Sequence, residues 1–200
     1  HVFAYQQGGS IPLSEVVEIA HNRGIPVIVD AAAMLPPPEN LNRYVAMGAD
    51  MVSYSGGKGV RGPQSTGILC GRSDLIAAAY LNSSPNPNAI GRSAKVCKEE
   101  IVGLITALDL FVDTDYEALV TSWRSQCQHI VKTLAGIDGI RAELCEAMPE
   151  LDEFEAATPR TFVHLENSWQ GPSQQHIVDW LTNRVPSVRV LQTEGGTGIV

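Results

Sequence analysis

The sequence has four cysteines, and their wide spacing is unlike that of zinc-binding or disulfide-rich proteins. Cys70, Cys97, Cys127 and Cys145 form no C-x-x-C pair, which argues against a structural zinc site and against a dense disulfide framework. We therefore expect four reduced thiols. His21, His129, His164 and His176 show no paired spacing of the kind that binds metal, so no metal site is predicted.

Positive charge is also scarce. The formal net charge is -8 and the sequence pI is about 5.0, which gives no basic field to attract a nucleic acid, so small metabolites are the better candidates as ligands. No apolar run of about 18 residues is present to span a membrane, and the first residues lack the pattern of a secretory signal. We predict a cytoplasmic location. Because the chain starts without methionine inside an apolar run, we expect it to be a segment of a longer protein.

What the sequence does contain is a regular alternation of helix and strand patterns. Apolar residues at helical spacing in 10–23 end at Gly24, and the β-branched run "VIVD" follows. A second helix is predicted over residues 38–47, and the strand "MVSY" follows Gly48. This order predicts parallel βαβ units in an α/β fold with a mainly parallel sheet. "TGILCG" is predicted as one further strand.

From Ser73 onward the pattern is mostly helical, with one apolar stripe over Ile101, Leu104, Ile105, Leu108 and Phe111. A long helix is predicted from about Tyr116 to Leu134. The strands "IRAEL", "TFVHLE" and "SVRVL" and the helix "SQQHIVDWL" then predict a smaller α+β domain. We place the boundary between residues 1–112 and 113–200.

Two reactive side chains follow predicted neighbouring strands. Ligands of an open parallel sheet gather at the carboxyl ends of its strands, and Asp30 and Lys58 each fall at such an end. A desolvated lysine can form a Schiff base, and an aspartate can keep a pyridine nitrogen protonated. Ser55, Gly56, Gly57, Gly62 and Ser65 offer hydroxyls and backbone N–H groups for a phosphate.

Other interpretations of the lysine must be weighed. A glycine-rich turn with a solvated lysine is the ordinary case. A Walker A loop is excluded because Gly59, rather than Ser or Thr, follows the lysine. Ser55 and Lys58 match the S-x-x-K pattern of serine acylases, but the two glycines between them oppose the helical turn which that motif needs, and no S-D-N or K-T-G is present.

The segments "IPVIVDAAAMLPPPENL", "GADMVSYSGGKGVRGPQSTGILCGR" and "KVCKEEIVGLITAL" resemble the pyridoxal-phosphate enzymes related to bacterial L-seryl-tRNA(Sec) selenium transferase. Within that group they are most similar to the branch with D-glucosaminate-6-phosphate ammonia-lyase. The resemblance implies the aspartate-aminotransferase-like fold, fold type I, in which residues 1–112 are the C-terminal part of the cofactor-binding large domain and residues 113–200 an incomplete small domain. The resemblance also implies that the family's N-terminal half is not in these 200 residues.

The resemblance also implies site residues. Lys58 is expected to form the Schiff base with pyridoxal 5'-phosphate, and Asp30 to partner the pyridine nitrogen. Ser55 is expected to contact the cofactor phosphate, with Gly57, Gly62 and Gln64 in the same binding loop. The active sites of this fold usually lie at a dimer interface, so a homodimer or higher homo-oligomer is implied.

Two arginines are candidates for binding substrate. Arg160 opens the strand "RTFVHLE", where a guanidinium can bind a substrate carboxylate, although a surface arginine at a strand start is equally ordinary. Arg92, in the loop before the long helix, is a candidate for a substrate phosphate or carboxylate.

The predicted function is that of a pyridoxal-phosphate-dependent lyase. It would act on an amino acid or amino sugar acid and release ammonia and a keto acid. Two alternatives stay open: a selenium-transferase-like step on seryl-tRNA, which the acidic charge opposes, and a noncatalytic fold type I protein with an assembly or regulatory role.

Overall fold

The computed structural model of the protein describes residues 2–3, 11–146, 158–192 and 198–200. These residues divide into two compact units, one ending at Thr114 and the other beginning at Asp115. The division falls two residues after the predicted boundary. The identification of the two parts as a cofactor domain and a small domain stays a prediction.

The first unit is built on one four-stranded sheet in the order β1-β2-β3-β4. Strands β1, β2 and β3 are parallel, and β4 is antiparallel to β3. The strands are β1 (Val2–Phe3), β2 (Ile28–Asp30), β3 (Met51–Ser55) and β4 (Gly67–Gly71); the helices are α1 (Leu13–His21), α2 (Asn40–Ala46), α3 (Ser73–Leu81) and α4 (Lys98–Val112). Helices α1 and α2 are the two crossovers between parallel strands, as the alternation predicts.

The core of this unit fixes the loop that follows β2. Val29 and Val52 are fully buried in the sheet, and Tyr44 is fully buried beneath it on α2. The Tyr54 hydroxyl donates to the Asn40 carbonyl at 2.6 Å, and the Asn40 side-chain nitrogen donates to the Met34 carbonyl at 2.7 Å. These buried bonds tie residues 31–39 to α2 and β3. Burial also raises the pKa of the Tyr44 phenol to about 12, so it stays neutral in the core.

The second unit has an antiparallel sheet in the order β5-β6-β7. Its elements are α5 (Tyr116–Leu134), β5 (Ile140–Cys145), β6 (Arg160–Leu165), α6 (Gln174–Asn183) and β7 (Gly198–Ile199). The predicted strand "SVRVL" is wrong. Leu191 exchanges two backbone hydrogen bonds with Val200, at 2.9 and 2.8 Å, but residues 187–191 form no strand. At the start of this segment the Val188 N–H and the Ser187 hydroxyl instead donate to the Leu181 and Thr182 carbonyls of α6.

A buried carboxylate holds the opposite end of β3 from the predicted site. Asp50, which is 4% exposed, accepts hydrogen bonds from the Val27 N–H at 2.7 Å and from Arg72 at 2.8 Å, and it pairs with His21 at 2.8 Å. Burial alone raises the pKa of this carboxyl, but the bonds from His21, Val27 and Arg72 together outweigh burial and lower its pKa to about 2. Asp50 is therefore a charged residue before β3 whose hydrogen bonds connect the end of α1, the start of β2 and the end of β4.

We expect Asp50→Asn to lower the free energy of unfolding by about 2 kcal/mol at pH 7, since the amide loses the charge that these donors were arranged around. Because the folded-state pKa lies below its usual value of 3.8, the contribution is fully present above pH 4 and is lost as the pH falls from about 4 to about 2. Urea unfolding across this range measures it. Asp74→Asn is the matched control: Asp74 binds the same Arg72 but is 61% exposed, so a change as large as that of Asp50→Asn would contradict the prediction.

Candidate active site

Asp30 and Lys58 follow adjacent parallel strands at the same edge of the sheet. Asp30 is the last residue of β2 and is aligned with Ser53 of β3, and the Ala31 N–H donates to the Ser53 carbonyl at 2.9 Å. Ser55 ends β3, and Lys58 follows three residues later. The expectation that these residues share one sheet edge is met.

Asp30 is half-buried and also shapes its own turn. Its Oδ1 atom accepts a hydrogen bond from the Ala32 N–H at 3.0 Å. This bond turns the chain directly after the strand and leaves the carboxylate at the end of β2.

Lys58 lies in a loop that closes on itself between β3 and β4. The Gly56 N–H donates to the Thr66 carbonyl at 3.0 Å, and the Gly62 N–H donates to the Gly56 carbonyl at 2.8 Å. Arg61 has a φ of 61° and donates its N–H to the Lys58 carbonyl at 2.9 Å. We call residues 56–66 the lysine loop.

The lysine loop touches the loop that follows Asp30. A Cβ atom on Gly59 would lie 2.0 Å from the Leu35 carbonyl oxygen, a separation that no side chain can occupy. Only glycine allows this approach. The residue after Lys58 is thus in contact with the segment five residues beyond Asp30, which ties the two reactive side chains to one joined piece of backbone.

A second close approach lies on the other side of Lys58. A Cβ atom on Gly57 would lie 2.6 Å from the Gln64 Cα, and the Gln64 side-chain nitrogen donates to the Gly57 carbonyl at 2.9 Å. Gly57 and Gln64, two predicted cofactor-binding residues, therefore contact each other. Their contact fixes the peptide that precedes the lysine.

Helix α4 packs directly against the lysine loop. A Cβ atom on Gly62 would lie 3.2 Å from a methyl group of Leu104, and one on Gly103 would lie 3.1 Å from the Pro63 ring. The Ser65 hydroxyl donates to Glu100 in the first turn of α4. Glycines on both sides of this contact let the loop backbone lie directly on the helix.

Lys58 itself is exposed, so the described residues do not supply the desolvation that the sequence analysis expects. Among these residues none forms a hydrogen bond or ion pair with its amine. The residues present suit pyridoxal 5'-phosphate in three groups: an amine that none of the described residues binds, a carboxylate on the neighbouring strand, and the Ser55 hydroxyl for a phosphate. The Gly56 and Gly62 N–H groups and the Ser65 hydroxyl, which the sequence analysis also assigns to a phosphate, instead donate within the lysine loop and to Glu100.

The two arginines are placed differently from these residues. Arg92 lies in the exposed stretch between α3 and α4, where its guanidinium donates to the Ser84 hydroxyl at 3.3 Å. Arg160 is the first residue of β6 in the second unit, where it is aligned with Cys145 and lines a mainly apolar cavity of about 700 Å³. Their roles in substrate binding stay predictions.

Sequence reasoning missed Gly59 and Glu100. The signal for Glu100 was present, because Cys97-x-x-Glu100 has the spacing of a capping box at a helix start. Gly59 carried no such signal, since its need for glycine comes from a carbonyl 24 positions earlier in the chain. Within the described part of the chain, no three His, Cys, Asp or Glu side chains cluster as a metal site would require, and no helix there is long and apolar enough to cross a membrane.

Comparison with known proteins identifies the family. The aminotransferase class-V model matches residues 5–154. The D-glucosaminate-6-phosphate ammonia lyase of Salmonella typhimurium is 33% identical over 171 residues, which are 86% of this chain and 42% of the relative. The 5'-C-glycyluridine monooxygenase-decarboxylase of a Streptomyces species is 33% identical over 180 residues, 89% of this chain and 41% of the relative. The chain thus spans less than half the length of these relatives.

Other matches bear on the fold and on the predicted branch. A solved structure of a D-glucosaminate-6-phosphate ammonia-lyase superposes with a TM-score of 0.69 at 29% identity, covering 98% of this chain and 48% of the other. The L-seryl-tRNA(Sec) selenium transferase of Rhizobium meliloti is 34% identical over 116 residues, 52% of this chain and 23% of the relative.

These findings confirm the predicted fold type I architecture and the resemblance to the selenium transferase and ammonia-lyase group. The family consists of enzymes, and its members use pyridoxal 5'-phosphate, the cofactor that the residues around Lys58 fit. The chain belongs to the aminotransferase class-V family.

Proposed function

We propose that the protein is a pyridoxal-phosphate-dependent lyase that releases ammonia and a keto acid from an amino acid or amino sugar acid. One observation carries the proposal: an exposed lysine and a half-buried aspartate follow adjacent parallel strands, and the Gly59–Leu35 contact joins their loops. Similarity to a D-glucosaminate-6-phosphate ammonia lyase over 86% of the chain supports the choice of reaction.

Each residue has a distinct role in the proposal. Lys58 would hold the cofactor and would also be the general base that removes the proton from the substrate carbon next to its amine. When bound, pyridoxal 5'-phosphate supplies the electron sink that stabilises the charge left on this carbon. The Asp30 carboxylate keeps a proton on the ring nitrogen, and Ser55, Gly57, Gly62 and Gln64 form the binding loop, with the Ser55 hydroxyl on the phosphate.

The bond changes balance without any added oxidant. The substrate carbon would lose a proton to Lys58, the neighbouring carbon would lose its leaving group together with the bonding electron pair, and the departing group would take up that proton from Lys58. Water then hydrolyses the unsaturated amine product to ammonia and a keto acid. Arg92 and Arg160 are the proposed contacts for the acidic groups of the substrate.

The proposal includes a homo-oligomer, a homodimer or larger, in the cytoplasm, with a small-molecule substrate and no membrane or nucleic acid partner. The acidic net charge of the sequence supports a small-molecule substrate over a nucleic acid partner. The homo-oligomer is proposed because active sites of this fold usually lie at a dimer interface.

The experiment is a product screen on the intact natural protein loaded with pyridoxal 5'-phosphate. Phosphorylated amino sugar acids are tested first and common amino acids next, and ammonia and keto acid are quantified together. We expect equal amounts of the two products from at least one substrate. Prior treatment with borohydride should abolish release and add the reduced cofactor mass to the peptide that contains Lys58.

Further arms separate this reaction from its rivals. Release of carbon dioxide without ammonia would replace the ammonia-releasing reaction with a decarboxylation, a reaction suggested by the name of the Streptomyces relative. Consumption of charged seryl-tRNA would support the transferase alternative. A protein that carries the cofactor on Lys58 but turns over none of these substrates would favour the noncatalytic alternative.

A further inference from the structure

Glu100 uses both of its carboxylate oxygens at the start of α4. One oxygen accepts the Ser65 hydroxyl from the lysine loop. The other accepts the Cys97 backbone N–H at 3.1 Å and lies 3.1 Å from the Cys97 sulfur, which closes a capping box on α4. Glu100 therefore stabilises the helix and binds the loop with one side chain.

These bonds also keep Glu100 ionised. The Ser65 hydroxyl makes the largest contribution to lowering the pKa of Glu100, and the Cys97 side chain and N–H add to it. An ionised acceptor makes a stronger hydrogen bond than a neutral one. The negative charge of Glu100 therefore strengthens its hydrogen bond with the Ser65 hydroxyl.

A short covalent and hydrogen-bonded path leads from Ser65 to Lys58. Ser65 directly follows Gln64, whose side-chain nitrogen donates to the Gly57 carbonyl at 2.9 Å. Gly57 directly precedes Lys58. Holding Ser65 on α4 therefore limits the movement of Gln64, and Gln64 limits the rotation of the peptide that carries the lysine.

The rest of the contact makes α4 a firm base for this path. Pro63 lies against Gly103, and Gly62 lies against Leu104 and Ala107 at would-be Cβ distances of 3.2 and 3.4 Å. Further along the helix Phe111 is 4% exposed, so the helix is held in the core at its other end. The hydrogen bond between Ser65 and Glu100 adds a polar contact to these apolar contacts between the lysine loop and α4.

We propose that Glu100 is a positioning residue for Lys58: by anchoring Ser65 to α4, its carboxylate fixes the lysine loop and so the placement of the lysine amine. The inference rests on the proposed role of Lys58 in the lyase reaction. Glu100 would act through Ser65 and Gln64, without touching a reacting atom.

The central test is Ser65→Ala in the intact natural protein, because it removes the loop end of the bond and leaves the α4 capping box whole. In the cofactor-free protein we expect amide hydrogen exchange in residues 57–66 to become about fivefold faster, as the loss of one such bond allows, with the unfolding midpoint unchanged. With pyridoxal 5'-phosphate bound, we expect about tenfold lower kcat with little change in KM, together with weaker visible circular dichroism of the cofactor.

Two further variants separate positioning from helix stability. In Glu100→Gln the amide oxygen can accept the Cys97 N–H and the amide nitrogen can donate to the Ser65 hydroxyl. This variant therefore keeps a weaker, uncharged contact and should retain part of the slow exchange and turnover, whereas Glu100→Ala should lose both. Thr106→Ala is the matched control on the same helix: its hydroxyl donates to the Val102 carbonyl at 3.1 Å within α4, and removing it should leave the loop and turnover unchanged.

Unchanged exchange in Ser65→Ala would overturn the inference, and so would faster exchange with unchanged kcat and circular dichroism. The inference would also be overturned if slow exchange and turnover were lost only in Glu100→Ala and that variant had a lower unfolding midpoint. Glu100 would then serve only as a helix cap. The exchange measurement needs no cofactor. Faster exchange with weaker circular dichroism in a protein that shows no lyase turnover would therefore support the positioning of Lys58 and refute only the proposed reaction.

Discussion

Lys58→Ala is expected to lower turnover by at least about 10³-fold while leaving the fold intact. The loss is large because the variant removes both the covalent attachment for the cofactor and the proposed base, and groups of this kind carry about 10³-fold or more of a rate. Stability should stay within about 0.5 kcal/mol of the natural protein, because Lys58 is exposed and none of the described residues bonds its amine. This separation of activity from stability makes the variant informative.

The measurement pairs steady-state turnover in excess pyridoxal 5'-phosphate with urea unfolding of the cofactor-free proteins, because bound cofactor would itself add stability. Lys58→Arg keeps the positive charge but provides no nucleophilic amine, so it should lose activity as fully as Lys58→Ala. Lys132→Ala, which removes an exposed lysine from α5, is the control and should keep full activity. Normal turnover in Lys58→Ala would remove the lysine assignment and the lyase mechanism with it.

The sheet edge could be predicted from the sequence because its signals are local. The β-branched run ending in Asp30 and the strand pattern "MVSY" after Gly48, each preceded by a helix pattern, are enough to predict two parallel strands joined by a crossover. The rule that ligands gather at strand carboxyl ends then selects Asp30 and Lys58. Both steps use residue order alone, and the structure places both residues as they require.

The contacts that join the loops could not be predicted in this way. The approach of Gly59 to the Leu35 carbonyl and the bond from Ser65 to Glu100 link residues 24 and 35 positions apart. Each depends on how two turns meet in space, and no periodicity reports that. A glycine that a distant carbonyl requires looks the same in a sequence as a glycine in an open turn such as Gly24, which has nothing within 4 Å of its would-be Cβ.

Helix α4 shows a related failure of hydrophobic periodicity. The predicted stripe includes Ile101 and Ile105, yet these side chains are 47% and 55% exposed. The face against the lysine loop is instead formed by Gly103, Leu104 and Ala107. Because the loop backbone approaches the helix closely, small residues are required where they meet, and a search for large apolar residues selects part of the wrong face.

Asp30→Asn is expected to lower turnover by about 10²-fold to 10³-fold, as the loss of a preorganised electrostatic contact does. The asparagine side chain has the size of aspartate and keeps an oxygen that can accept the Ala32 N–H, which is 3.0 Å from Oδ1 in the natural protein. What it lacks is the negative charge that would hold a proton on the ring nitrogen of the cofactor. The variant therefore removes the proposed chemical role and keeps the local structure.

Comparison with Asp30→Ala divides the effect into its parts. The alanine variant also loses the bond to Ala32, so its stability should fall by about 1 kcal/mol, whereas Asp30→Asn should keep its stability. Asp109→Asn, which changes an exposed carboxylate on α4, controls for the change in net charge. Steady-state kinetics, cofactor absorption spectra and urea unfolding on all three proteins provide the test. If Asp30→Asn keeps normal turnover while binding the cofactor, the carboxylate serves only to shape the turn after β2, and the ring nitrogen must be held by another group.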